Sequence, residues 1–337
     1  CGSWLFEPQS TNLITQSEDF SQWIDDTDTS ITSNAIISPD GTQNADKLIA
    51  GNSVARQAIK FNLTVSGDIV MSVFAKKGEY SVLQFSDARD PSLYANFDIE
   101  NGTIGASNII VSSIQDYGNG WYRCVGVYNS LNDIISFRIS ITENSTDGRL
   151  INFSGNNSDG LYIWGAMLEQ NSFSTSYIPT EGSTVTRNQD LCNNGGSLAS
   201  INSTEGVLYA EISGLSSPVN SPKNITISDG TAGNYVRIEF YQDGKVYGNV
   251  YDGISVSASF VINQDEYNKI AIQYSSSGSK LYVNGTGVNF ASKIFTSNTL
   301  NTIQFSNAQG SASYFNGKCK ALAVWKEALS DQELADL

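Results

Sequence analysis

Apolar and polar residues alternate with a period of two along much of the chain, a spacing that predicts strands with one face buried. Ile69, Met71, Val73 and Ala75 form one such stripe, Leu93, Ala95, Phe97 and Ile99 a second, and Ile135, Phe137, Ile139 and Ile141 a third. Lys77-Gly78-Glu79, Asn101-Gly102 and Asn119-Gly120 punctuate the stripes, and Asn and Gly reach positive φ at low cost, so turns are predicted there. From Leu161 to Leu168 every side chain is apolar, aromatic or very small. Such a run suits a strand buried on both faces, or one that shows Tyr162 and Trp164 to a groove. Pro179 cannot donate to a ladder and biases Ile178 towards extended backbone, so pairing is expected to stop nearby. Ser330 followed by Glu333 makes a capping box and predicts one short helical turn at the end of the chain.

The alternation is most informative in Asn234 to Tyr251, NYVRIEFYQDGKVYGNVY. A two-residue Asp-Gly turn would set Phe240 against Tyr247 and mix the two faces. A three-residue loop, Gln242-Asp243-Gly244 with Gly244 left-handed, sets Phe240 against Val246, Glu239 against Tyr247, Arg237 against Asn249 and Tyr235 against Tyr251. One face is then small or apolar throughout. The other carries Tyr235, Arg237, Glu239, Tyr241, Tyr247, Asn249 and Tyr251, rings and planar hydrogen-bonding groups suited to the apolar faces and hydroxyls of a sugar. The same composition also fits a solvated sheet face with cross-strand tyrosine pairs, or a subunit interface.

The chain of 337 residues exceeds the size at which single cores usually stop growing, which predicts two domains. Hydrophobic residues at 40% exclude general disorder, and charged residues reach only 16%, a balance that suits extracellular or virion β-proteins. Lys plus Arg number 19 against 34 Asp plus Glu, a formal charge of −15. A nucleic acid or an anionic membrane would be met against that field, so neither is expected as a partner. No run approaches the roughly 18 apolar residues of a membrane span, and no signal-peptide pattern opens the chain. Cys1 is not a natural start, so the chain is expected to be a fragment or processed form.

Histidine is absent, which removes Ser-His-Asp, Cys-His and His-ligated metal chemistry. Paired carboxylates remain as a route to glycosidic cleavage, but the strand acids Glu211 and Glu239 stand alone, so no catalytic residue is expected. No CxxC pair occurs, and Cys124 and Cys319 sit inside strand-like runs as expected core residues.

Six stretches carry a resemblance. LYIWGAMLEQ followed by TSYIPTEGSTVTR, together with GNGWYRC, resembles the carbohydrate-binding-type jelly rolls of bacteriophage tail-fibre and head-fibre proteins, and NLITQSEDFSQW is similar to the opening of family 4/9-type carbohydrate-binding modules. YNKIAIQYSSSGSKLYVNGTGV and GKCKALAVWKEALSDQEL resemble laminin G-like, concanavalin-type sandwiches. The expected architecture is all-β, two antiparallel sandwiches: a jelly roll over 1–187, a linker over 188–204 and a laminin G/concanavalin A-like domain over 205–337.

The resemblance implies a non-catalytic glycan-binding component of a phage fibre, on the virion surface or extracellular, with cell-surface polysaccharide and other fibre subunits, as a homotrimer, for partners. A non-catalytic region of a secreted polysaccharide-degrading enzyme or adhesin, and a purely structural decoration, are the alternatives. In the jelly roll, Tyr94, Tyr162 and Trp164, with Arg138 as a further candidate, form a rival ligand platform. The resembled sugar-binding jelly rolls imply a structural calcium between the opening turn and closing strand, which points to Glu18, Asp19, Asp46 and Glu169. A jelly roll that begins and ends on neighbouring strands would also bring Cys1 and Cys192 together, a bridge worth roughly 4–5 kcal/mol in the chain-entropy model.

Overall fold

A computed structural model describes residues 2–87, 90, 92–130, 134–215, 222–241, 243–293 and 295–337, with backbone alone at 129, 130, 134 and 135. The described residues are built from antiparallel sheets and one short α-helix, Asp331–Asp336. That helix starts at the predicted capping box: Glu333 N donates to Ser330 Oγ at 3.3 Å and Ser330 N to Glu333 Oε2 at 2.8 Å.

The chain divides into two compact units, but not at the expected boundaries. Gln9–Asn188 forms one unit, and the segment up to Pro8 joins Gln189–Leu337 in the other. The strand Trp4–Phe6 pairs antiparallel with Gly317–Trp325, placing Trp4 opposite Cys319 and Phe6 opposite Gly317. The Phe6 ring stacks on Phe305 at 4.6 Å and meets the edge of Phe315 at 6.1 Å. The first strand of the chain is therefore an edge strand of the second sandwich. Residues 189–204 are part of the same unit: Gly195 bridges Ile303, and Ile201 is buried in its core.

The Gln9–Asn188 unit has two six-stranded sheets. One runs Thr103–Ser107, Tyr94–Asp98, Val82–Asp87, Ile134–Thr142, Gln57–Thr64, Ile24–Thr27; the other runs Val111–Asp116, Trp121–Ser130, Gly67–Lys76, Gly160–Glu169, Ala45–Ala50, Thr29–Ile36. The chain passes repeatedly from sheet to sheet, as in a jelly roll. Ile69, Met71, Val73 and Ala75, then Ala95, Phe97 and Ile99, then Phe137, Ile139 and Ile141, are buried in a common core. The Leu161–Leu168 run is buried on both faces, with a bulge between Trp164 and Met167 where Gly165 takes φ +63°.

In the second unit a six-stranded sheet is ordered Trp4–Phe6, Gly317–Trp325, Gly206–Gly214, Asn268–Tyr274, Ser279–Val283, Thr286–Phe290. A five-stranded sheet is ordered Ser255–Val261, Lys245–Tyr251, Tyr235–Tyr241, Lys223–Ser228, Thr302–Gln304. Cys124 and Cys319 are buried as expected; burial pushes the Cys124 thiol well up, and that of Cys319 up to about 11. Cys192 is exposed and free, whereas its expected partner Cys1 lies outside the described residues.

Candidate functional site

Pairing between Tyr235–Tyr241 and Lys245–Tyr251 follows the three-residue-loop register: Tyr235 opposite Tyr251, Arg237 opposite Asn249, Glu239 opposite Tyr247 and Phe240 opposite Val246. Gly244 sits at φ +74°, the left-handed position such a loop requires, while Gln242 lies outside the described residues. Val236, Ile238, Phe240, Val246 and Val250 are all buried in the core. Side-chain alternation then puts the seven polar and aromatic residues on the opposite face.

On that face the rings do not lie open as separate platforms. Tyr235 stacks on Tyr251 with centroids 5.0 Å apart and planes 14° from parallel, and the Arg237 guanidinium sits 4.8 Å from the Tyr235 centroid. Tyr241 and Tyr247 meet edge-on at 6.2 Å, and the Tyr247 hydroxyl donates to Asp243 Oδ2 at 2.7 Å. Arg237 Nη2 pairs with Glu239 Oε2 at 2.8 Å. Desolvation pushes the Glu239 carboxyl above its usual range, with the Arg237 charge opposing it. The Asn224 amide, turned so that both its ends are satisfied, donates to Glu239 at 3.2 Å. Arg237 Nε is buried without a partner. Asn249 is almost fully buried, and Tyr241, at 39%, is the most exposed ring.

Two features of this face lie outside the 234–251 hairpin. Ser255, Ser257 and Ser259 stand opposite Tyr251, Asn249 and Tyr247 and extend the face with exposed hydroxyls. On the other side Thr226 and Ser228, opposite Arg237 and Tyr235, are covered by a returning segment: Thr226 Oγ1 donates to Ser306 O at 2.7 Å and Ser228 Oγ to Ala308 O at 2.9 Å. The face is thus bounded along one edge and continues into serines along the other. Only the strand alternation of SVSASFV signalled the serine row.

Residues 215–335 match the family described as the concanavalin A-like lectin/glucanases superfamily. The second unit contains a concanavalin A-like sandwich domain. The tyrosine face belongs to the five-stranded sheet of this concanavalin A-like domain. No curated protein matches the sequence. Among solved structures the chain is similar to the CBM40 of a Ruminococcus gnavus IT-sialidase bound to α2,3-sialyllactose, with 15% identity over 43% of this chain and 92% of that one, at a TM-score of 0.35. A heptameric SAP-like pentraxin from Limulus polyphemus is 11% identical over 42% of this chain and 72% of that one, at a TM-score of 0.33. Domains LG4-5 of the mouse laminin α1 chain are 12% identical over 89% of this chain and 92% of that one, at a TM-score of 0.29.

Tyr94, Tyr162 and Trp164 of the rival platform do not come together as one surface. Tyr94 lies in one sheet of the jelly roll and the other two lie in the second sheet. Trp164 is 4% exposed, packed with Ala45, Phe74 and Trp121 and covered by Tyr177 at 4.7 Å. It is a core residue, because the returning segment after Gly160–Glu169 folds back over it.

Of the four carboxylates expected to hold calcium, three share one cavity and the fourth stands apart. Glu18, Asp19 and Asp46 line a cavity of about 520 Å³ with Gln16, Asn34 and Glu181. Each is already engaged there. Glu18 accepts from Tyr177 and Asn44, both at 2.9 Å; Asp19 caps the 3-10 turn Phe20–Gln22; Asp46 accepts from the backbone of Phe20 and Asn34 at 3.0 and 2.9 Å. Burial, helped by the Asp19 charge, pushes the Asp46 carboxyl up against those two backbone hydrogen bonds. Glu169 is outside this cavity lining, buried, and accepts from Ser10 and from both the hydroxyl and N–H of Thr175. Among the described residues no three such groups are placed to share an ion, so this set does not fit the expected calcium.

Proposed function

We propose that the protein is a non-catalytic glycan-binding component that engages saccharide through the tyrosine face of its concanavalin A-like domain. The observation that carries this reading is the register of the Tyr235–Tyr251 hairpin, which denies seven polar and aromatic side chains any core to enter. Aromatic surface and the hydroxyls of Ser255, Ser257 and Ser259 supply what a hydroxylated ring needs. The two isolated strand acids lie in different sheets and are each tied to a cation, Glu211 to Lys320 at 2.9 Å and Glu239 to Arg237 at 2.8 Å, which supports a binding role.

The setting that best matches the resemblance of the jelly-roll stretches is a phage fibre, on the virion surface or extracellular, in which a homotrimer presents several faces to one cell-surface polysaccharide. Individual contacts of this kind are weak, and repetition on one particle raises the effective concentration. The test is binding of the purified chain to host cells and to their extracted surface polysaccharide, with the Tyr247→Ala/Tyr251→Ala double variant as comparison. Loss of binding with an unchanged melting temperature supports the reading; a folded variant that binds normally contradicts it. Binding to a soluble plant or algal polysaccharide without cell attachment selects the secreted-enzyme setting instead.

A further inference from the structure

A cluster of cations in the Gln9–Asn188 unit stands out against a protein whose formal charge is −15. On the sheet containing Ile134–Thr142, the core takes Phe137, Ile139 and Ile141, so Arg138 points to the opposite face. Its cross-strand neighbours there are Lys60 on one side and Ser86 on the other, with Tyr94 next beyond Ser86. Asp26, in a bulge of Ile24–Thr27, draws three cations to one carboxylate: Arg138 Nε at 2.6 Å, Lys60 Nζ at 2.6 Å and Arg56 Nε at 2.8 Å. A fourth cation, Arg149, arrives from the returning loop and donates to Asp87 O at 2.6 Å.

Among the described residues, four cations of this cluster face fewer carboxylates. Arg56, Lys60, Arg138 and Arg149 face the carboxylates of Asp26 and Asp87, with Asp90 exerting a weaker influence on Arg149. Desolvation and then the charges of Arg138 and Arg56 hold the Arg149 guanidinium below its usual value, against the pull of Asp87 and Asp90. Among the described residues, two groups beside these cations also lack hydrogen-bond partners. The Ser86 hydroxyl, fully buried between Arg138 and Tyr94, is one, and Arg149 Nε is the other. A buried donor without a partner is uncommon and marks a place where a group from outside would gain a hydrogen bond.

We propose that this face binds the oxyanion substituent, carboxylate or sulfate, of an acidic saccharide, with Arg149, Arg138 and the Ser86 hydroxyl as donors and Tyr94 beside the sugar ring. Guanidinium groups and a hydroxyl are the donors that planar or tetrahedral oxyanions take in charge-assisted hydrogen bonds. Arg56 and Lys60, whose side chains are 37% and 24% exposed, carry the positive charge of the cluster out towards solvent. A densely charged polyanion would meet the overall negative field, whereas a sparsely charged saccharide would not be repelled to the same degree. That the anion is carried on a saccharide rests on the proposed function; the site itself lies in the other unit and does not depend on the tyrosine face.

The full chain should be titrated with a maltooligosaccharide carrying one terminal uronate, the same oligomer carrying one sulfate instead, and the neutral parent of equal length. Preference for either acidic oligomer, lost in 0.5 M sodium chloride as screening requires on the order of a few ångströms of Debye length, is the expected result, and the two acidic arms separate carboxylate from sulfate. Arg56→Gln/Lys60→Gln should weaken acidic-oligomer binding by about tenfold. Ser86→Asp, which sets a resident carboxylate between Arg138 and Tyr94, should abolish it in a folded protein. Tyr247→Ala/Tyr251→Ala should leave it unchanged, so failure here and failure of the tyrosine-face reading are separable. Wild-type protein that binds the acidic oligomers no better than the neutral one overturns the proposal, whatever the variants do. So does acidic-oligomer binding that Ser86→Asp leaves intact.

Discussion

Asp26→Asn should destabilise the jelly-roll unit strongly at neutral pH. The Asp26 side chain is 2% exposed and pairs with Arg138, Lys60 and Arg56, whose side chains are 9%, 24% and 37% exposed. Removing one partner of a buried ion pair costs about 3–5 kcal/mol, because the remaining charge is left in a poorly solvated site. The Arg56 contribution is largely screened, so the loss rests mainly on Arg138 and Lys60. For a unit of this size each kcal/mol shifts the melting temperature by about 2–4 °C, which gives a drop of roughly 10 °C. Burial raises the Asp26 carboxyl, but the hydrogen bonds of Lys60 and Arg138 and the charges of Arg138 and Arg56 outweigh it and hold the group below its ordinary value of 3.8. A carboxylate depressed in the folded state contributes stability that is fully present above its unfolded value and is lost as pH falls through the folded one. The gap between wild type and variant should therefore be full at pH 6–7 and close as pH is lowered well below about 3.9. Melting followed by circular dichroism across that range provides the readout. A variant within about 2 °C of wild type at pH 7, or a gap that persists at the acid end, would refute the reasoning.

Three further outcomes are expected. Phe6→Ala should lower the urea midpoint of the concanavalin A-like unit, costing about 2 kcal/mol because the half-buried ring loses Phe305 and Phe315; an unchanged midpoint would mean that the first strand adds nothing to that sandwich. Chelator should leave the melting temperature unchanged, since Glu18, Asp19, Asp46 and Glu169 do not gather around one point; a clear drop would restore calcium. In native protein a thiol reagent should label Cys192 but not Cys124 or Cys319, which should react only on unfolding; a Cys1–Cys192 peptide found without reduction would contradict the Cys192 part.

The faces of strands were legible in the sequence wherever one side is apolar, because a slip by one residue would have exposed the whole stripe. The stripe ending at Ile141 and the Tyr235–Tyr251 register both follow from that constraint. The position of Trp4–Phe6 was not legible. Three residues carry too little periodicity to name a partner, and the partner is more than 300 residues away at Gly317–Trp325. Asp26 stands in the sequence between Asp25 and Asp28, and nothing local marks it as buried. Its burial depends on Lys60 and Arg138 arriving from other strands, which no local pattern states. Trp164 misleads for a related reason: alternation puts it outside the main core, and only the returning segment with Tyr177 shows that this outer face is covered.

Backbone amide shift mapping during titration with fragments of a cell-surface polysaccharide would locate the saccharide site. The account predicts saturable shifts along Tyr235–Tyr241, Lys245–Tyr251 and Ser255–Val261, absent from the Tyr247→Ala/Tyr251→Ala variant. Shifts confined to Gln9–Asn188, with these three strands silent, would contradict it.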